Sequence, residues 1–216
     1  MNIDQSSAVI KHTGLIAIIR GDFGADEILK IGEALRSGGI VVLEVTLNSR
    51  GALEAITRLR GKFGEQLLIG AGSVRTSAQV DVAAGAGAQF LVSPNFDPAS
   101  VARAQALGLL LLPGVLTPTE AQNAHAAGCR LLKLFPADAV GPAYLRALRA
   151  PLNDIDFVPT GGVTLDNVVN YAQAGAVAMA IGSALVSEQS HTQEEILREA
   201  RRFRIAWDQA RYRKSR

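Results

Sequence analysis

The sequence predicts an α/β fold, a (β/α)8 barrel in one domain spanning 1–216, from three observations. Short apolar runs recur along the chain, at 15–20, 41–47, 67–74, 90–94, 109–115, 131–136, 156–163 and 177–186. Most are separated by amphipathic stretches that end in glycine, such as ADEILKIGEALRSGG and TPTEAQNAHAAG, each reading as a helix with its C-cap. The runs are also nearly uninterrupted by polar residues, as in parallel strands covered by helices.

Taken in order, residues 1–14 read as a short helix closing the barrel floor, and LIAIIR as the first strand. VVLEVTL, LLIGAGSV, FLVSP and LLLLPGV then alternate with helical stretches over 25–39, 49–64, 76–87, 97–108 and 117–128. LLKLFP, DFVPTGGV and VAMAIGSALV complete eight strands. Near the end Ile196, Ala200, Phe203 and Trp207 fall at helical spacing. An open doubly wound sheet is the alternative. It usually carries GxGxxG after its first strand, where this chain has Arg20-Gly21-Asp22-Phe23-Gly24.

Composition narrows the functional classes. Hydrophobic residues make up 48% of the chain and aromatic ones 5%, and 22 basic against 20 acidic groups leave a net charge of +2. That balance argues against a phosphate-backbone reader, so no nucleic acid is expected as a partner. The final helix carries Arg198, Arg201, Arg202, Arg204, Arg211, Arg213, Lys214 and Arg216 against Glu199 and Asp208. A packed helix with a solvated basic face accounts for this better than an arm for an acidic partner. The lone Cys129 matches no zinc spacing. The opening residues lack the basic and apolar regions of a signal peptide, and the uncharged stretch 167–187 is too interrupted for a convincing span. The expectation is a cytoplasmic protein with no membrane partner.

In a parallel barrel, chemistry belongs at the carboxyl ends of the strands. Among the lysines, Lys133 alone stands inside a core strand, in LLKLF, and Glu44 alone among the acids interrupts a long apolar one, in VVLEVTL. By alternation Glu44 shares a face with Val42 and Thr46, and Lys133 with Leu131 and Phe135. If both faces point inward, an amine and a carboxylate meet in an apolar cavity, where burial favours their neutral forms. A neutral amine attacks carbonyls to give a Schiff base, and a neighbouring carboxyl can move protons on the adduct. A buried structural ion pair is the competing reading.

A second signal is the pair of glycine motifs in the last strands, Gly161-Gly162 and Gly182-Ser183. Glycines let backbone N–H groups approach an anion, and barrel phosphate sites form after strands seven and eight. They could also serve tight turns alone. Arg20, Thr46 with Asn48, Ser73, and Ser93 with Asn95 are further strand-end polar groups suited to a substrate carboxylate and hydroxyls, or to satisfying turns. His12, His125 and His191 show no paired ligand spacing, so no metal is expected.

LIAIIRG, LEVTLNS, IGAGSV, FLVSPN, LPGVLTPTE, LKLFPA, VPTGGV and IGSALV occur in this order over nearly the whole chain. In them the sequence resembles the bacterial class I aldolases that cleave 2-keto-3-deoxy-6-phosphogluconate (KDPG), some of which also act on 4-hydroxy-2-oxoglutarate (KHG). The resemblance implies a homotrimer of (β/α)8 barrels, with Lys133 forming the Schiff base and Glu44 as general acid and base. It implies that a phosphorylated keto-deoxy sugar acid is cleaved to pyruvate and glyceraldehyde 3-phosphate. The protonated imine is the electron sink, so no cofactor is implied. Gly161, Gly162, Gly182 and Ser183 match phosphate-binding positions, and Arg20, Thr46, Ser73, Pro94 and Thr160 match substrate-contacting ones. Phe135 would wall the pyruvate methyl pocket.

Two positions depart from the pattern and a third keeps to one branch of it. Asn48 stands where the gluconate branch often has arginine and resembles the branch that cleaves the galactonate epimer. Thr160 resembles the gluconate branch, and Ser73 replaces a common threonine. The gluconate epimer is the expectation because Thr160 could contact the distinguishing hydroxyl. A phosphate-binding barrel isomerase or synthase, and a catalytically silent sugar-phosphate binder, are the rival readings.

Overall fold

The computed structural model describes residues 1–187 and 192–214; His191 and Arg216 lie outside them. Helix α1 (Ile3–Thr13) precedes β1 (Leu15–Ile19), α2 (Ala25–Ser37), β2 (Val42–Thr46), α3 (Ala52–Phe63) and β3 (Leu68–Gly72). Then come α4 (Ser77–Gly85), β4 (Phe90–Val92), α5 (Pro98–Ala106), β5 (Leu110–Leu112), β6 (Gly114–Val115) and α6 (Pro118–Ala126). The chain continues with β7 (Leu131–Leu134), α7 (Gly141–Arg149), β8 (Asp156–Pro159), α8 (Val168–Gln173), β9 (Met179–Ile181) and α9 (Gln193–Lys214). This is an α/β fold built on curled parallel sheets.

The strands form one six-stranded parallel sheet in the order β5-β4-β3-β2-β1-β9 and a second in the order β6-β7-β8. A parallel bridge joins Thr160 to Ala180. The run 109–115, expected as one strand, divides at Pro113, which has no N–H to offer a ladder. On one side β5 pairs with β4, and on the other β6 pairs with β7, while the Pro113 carbonyl accepts from the Lys133 N–H at 2.9 Å.

Two apolar layers follow from strand alternation. Leu43, Val45, Ile69, Leu132 and Leu134 face the helices, whereas Ile16, Ile18, Val42, Leu68, Phe90, Leu131 and Val158 pack together on the opposite face. Ile10 of α1 belongs to this inner cluster and is fully buried. Burial of each such side chain contributes about 1.5–3 kcal/mol. Helix α1 starts at Asn2, whose side chain accepts from the Gln5 N–H while Gln5 returns a bond to the Asn2 backbone, and it ends at Gly14 with φ 76°. Ser6 donates to the Gln89 carbonyl at 3.2 Å, and Lys11 pairs with Asp156 at the start of β8, so α1 is fixed to the amino ends of the strands.

Helix α9 buries Ile196, Ala200, Phe203 and Trp207 against α2 and α8. Several of its cations are locally engaged: Arg202 pairs with Glu199 at 2.9 Å, Arg204 with Asp208, and Arg211 donates to the His12 carbonyl at 2.8 Å near the end of α1. Among the described residues no helix is long and apolar enough to cross a membrane.

Candidate active site

Glu44 and Lys133 both lie on the inner face of their strands. In register Glu44 stands between Ile18 of β1 and Gly70 of β3, and Lys133 between Gly114 of β6 and Val158 of β8. Their exposures are 1% and 5%. Burial holds the Glu44 carboxyl above the usual carboxylate range, although Lys133 and, less, Arg20 pull it back. Burial likewise lowers Lys133, against the attraction of Glu44 and with help from the positive Arg20. Both groups are therefore driven toward their neutral forms by desolvation and feel each other's charge. The Lys133 Nζ lies 4.5 Å from the Phe135 ring centroid, and Oε2 of Glu44 is buried without a hydrogen-bond partner.

At the carboxyl ends of the strands lies a cavity of about 390 Å³ walled by Arg20, Phe135, Thr160, Gly161, Gly162, Gly182 and Ser183, with neighbouring residues. Its two loops come from the glycine motifs. Gly161 and Gly162 have φ of 91° and 67°, a left-handed conformation that glycine adopts without steric cost. Asn167 holds the loop by donating to the Gly162 carbonyl at 2.8 Å and accepting from the Thr164 N–H at 2.9 Å. The second loop turns at Gly182, whose carbonyl accepts from the N–H groups of Leu185 and Val186. Lys133 and Glu44 are not among its lining residues, whereas Phe135, whose ring lies beside the amine, and Ile18, next to Glu44 in register, are.

Thr46, Ser73 and Pro94 are not in that wall. Thr46 is buried, and its hydroxyl lies 3.0 Å from that of Ser49, which accepts from the Gly21 N–H at 3.0 Å. Ser73 follows β3 with φ 57°, unusual for a residue with a side chain and of the kind found at functional turns. The Pro94 carbonyl packs where a Cβ of Gly114 would stand, next to Lys133 in register. Ser93 donates to the Asn95 carbonyl, satisfying a turn, and Asn48 is exposed.

Sequence reasoning did not single out Gly72, Ser49, Asn167 or Asp138. Gly72 lies beneath the Glu44 carboxyl, and Asp138 packs where a Gly162 side chain would go. The available signal was a glycine at an inward position of a strand, which marks close approach by another group. His125 pairs with Asp154 at 3.2 Å. Among the described residues no cluster of three or more His, Cys, Asp or Glu side chains could hold a metal ion.

A buried amine and carboxyl beneath a glycine-rimmed cavity, at the carboxyl ends of parallel strands, place the molecule among α/β proteins with enzyme-like sites at the strand ends. Residues 6–200 match the family model "KDPG and KHG aldolase". The chain is 40% identical over 172 residues to the 2-dehydro-3-deoxy-6-phosphogalactonate aldolase of Escherichia coli, covering 79% of this chain and 83% of that one. It is 39% identical over 166 residues to a 2-dehydro-3-deoxy-phosphogluconate aldolase of Treponema pallidum, covering 76% and 79%. The KDPG aldolase of Legionella pneumophila, solved with pyruvate captured as a covalent carbinolamine, superposes with a TM-score of 0.83 at 31% identity, covering 91% of this chain and 97% of that one. The chain belongs to the KDPG and KHG aldolase family.

Proposed function

We propose that this protein is a class I aldolase that cleaves 2-dehydro-3-deoxy-6-phosphogluconate to pyruvate and glyceraldehyde 3-phosphate, and that it also accepts 4-hydroxy-2-oxoglutarate. The observation that carries this reading is the burial of Lys133 and Glu44 on one apolar inner face, each pushed toward its neutral form. A neutral Lys133 amine adds to the C2 carbonyl, and the protonated Glu44 carboxyl gives its proton to the carbinolamine hydroxyl, which leaves as water to give a protonated imine and a Glu44 carboxylate. Glu44 removes the proton of the C4 hydroxyl as the C3–C4 bond breaks, its electrons pass to the imine, and the aldehyde leaves. Protonation of the enamine at C3 and hydrolysis return the amine and release pyruvate. The covalent pyruvate carbinolamine of the Legionella relative supports the same chemistry here.

In this reading Gly161, Gly162, Gly182 and Ser183 hold the phosphate, whose charge Arg20 across the same cavity complements. Thr46, Ser73 and Pro94 contact the keto-acid end, Phe135 walls the methyl group, and Thr160 meets the C4 hydroxyl. A second reading keeps the chemistry but takes the galactonate epimer as substrate; it is favoured by Asn48 in LNS and by the 40% identity to the galactonate enzyme. The parallel bridge from Thr160 to Ala180, and the passage of the chain through Pro113 from one sheet to the other, support one closed (β/α)8 barrel in a single domain. A homotrimeric, cytoplasmic enzyme is the form the family resemblance implies.

The test is incubation with pyruvate and borohydride in the presence of a chelator, followed by peptide mass spectrometry. An adduct confined to Lys133 is expected, and faster turnover of the gluconate than the galactonate epimer. No adduct in a folded protein would move the assignment to the isomerase or silent-binder reading.

A further inference from the structure

Strand β3 turns Leu68, Gly70 and Gly72 to the interior. The two glycines admit different groups. A Cβ on Gly70 would stand 2.4 Å from the Phe90 ring. On Gly72 it would stand 1.8 Å from Oε1 of Glu44, 2.6 Å from Cδ and 2.7 Å from Cγ, and these are its three nearest atoms. Gly72 is absent from the residues with left-handed backbone, so its main chain would accept an alanine and the demand for glycine is steric alone.

Register gives that contact a direction. Glu44 stands beside Gly70, whereas its carboxyl lies over Gly72, two residues nearer the carboxyl end of β3. Phe90 fills the space above Gly70, and Glu44 is 1% exposed, so a carboxyl displaced from Gly72 moves against packed neighbours.

We propose that Gly72 is a positioning residue: the space left by its missing side chain holds the Glu44 carboxyl forward, toward the mouth of the site. Its link to turnover rests on the aldolase reading above; its link to the carboxyl does not. Gly72→Ala drives the carboxyl off this position, and a displacement of about 1 Å in a reacting group can cost roughly a hundredfold in rate. Asp in place of Glu44 draws the carboxyl back by one methylene and removes the closest contact, at Oε1, while Cγ keeps its 2.7 Å approach.

The experiment is a cycle of Gly72→Ala, Glu44→Asp and the double variant, read by pyruvate release and by 13C NMR titration of the residue 44 carboxyl. Gly72→Ala is expected to lower kcat by roughly tenfold to a hundredfold and to displace the Glu44 titration, with the borohydride adduct still forming at Lys133. In the Glu44→Asp background, where only the longer contact at Cγ is left, the same alanine is expected to lower the rate by a factor roughly threefold smaller and to displace the titration less. An unchanged rate and titration in Gly72→Ala, or an equal loss in both backgrounds, overturns the proposal. If Gly72→Ala does not fold, folding of Gly72→Ala combined with Glu44→Ala, which removes all three contacts, supports it and failure to fold overturns it. If the unaltered protein releases no pyruvate, the aldolase reading fails and the titration alone decides: displacement by Gly72→Ala supports the positioning role, and none overturns it.

Discussion

At their amino ends the strands meet α1, where fully buried Ile10 packs among Ile16, Val42 and Leu68, with Ser6 donating to the Gln89 carbonyl and Lys11 paired with Asp156. At their carboxyl ends the same strands meet Lys133, Glu44 and Arg20, an unpartnered carboxyl oxygen, a left-handed Ser73 and two glycine loops. One end packs apolar side chains against a capping helix. The other keeps charges desolvated and backbone strained. Such strain and desolvation persist because the packed remainder of the fold outweighs them, and they are what makes groups reactive. Stability and chemistry are thus separated along one strand direction, and substitutions at the two ends should separate likewise.

The largest effect is expected at the mouth. Lys133→Arg keeps a positive charge but offers no amine for an imine, so pyruvate release should fall by roughly three orders of magnitude or more, with no borohydride adduct. Far-UV circular dichroism should show the fold intact. Turnover surviving in Lys133→Arg would remove the Schiff-base mechanism.

The two ends were also unequally legible in the sequence. Lys133 and Glu44 stood out because a charged residue in an apolar strand is rare, and period-two alternation grouped them with Leu131 and Val42, on the face that the structure turns inward. The helices over 25–37 and 118–126 followed from apolar spacing and caps, and glycine marked their ends. The partner switch at Pro113 was less visible, because whether a proline ends a strand or lets it change neighbours depends on what lies on either side. Gly72 and Ser49 were invisible for a related reason. A glycine shows only that space is needed, and a serine only that a hydrogen bond is possible; the group that uses either comes from another strand or loop.

At the floor the expectation reverses. Ile10→Ala removes a fully buried side chain from the inner cluster and should lower stability by about 2–5 kcal/mol in urea denaturation. The pyruvate-release rate of the folded protein should stay within roughly twofold, since Ile10 packs among apolar side chains of the inner cluster. A rate loss comparable to that of Lys133→Arg would show that the two ends are coupled.

A smaller effect sharpens the contrast through its sign. For Glu44 and Lys133 burial is the largest influence, and the partner's charge only partly offsets it. Replacing both, Lys133→Met with Glu44→Gln, should therefore raise stability by about 1–3 kcal/mol near neutral pH while abolishing turnover. The gain must also depend on pH. The Glu44 carboxyl is raised in the folded state, so its contribution is favourable below the unfolded carboxylate value of about 4.3 and is lost as pH rises through the folded one. The Lys133 amine is lowered, so its contribution is favourable above the unfolded value of about 10.4 and is lost as pH falls through the folded one. Both losses are in force only between those limits, so the double variant's advantage should be greatest at intermediate pH and shrink toward each extreme. An advantage that stays flat from acid to alkaline pH would mean that desolvated charge at the mouth is not what it relieves.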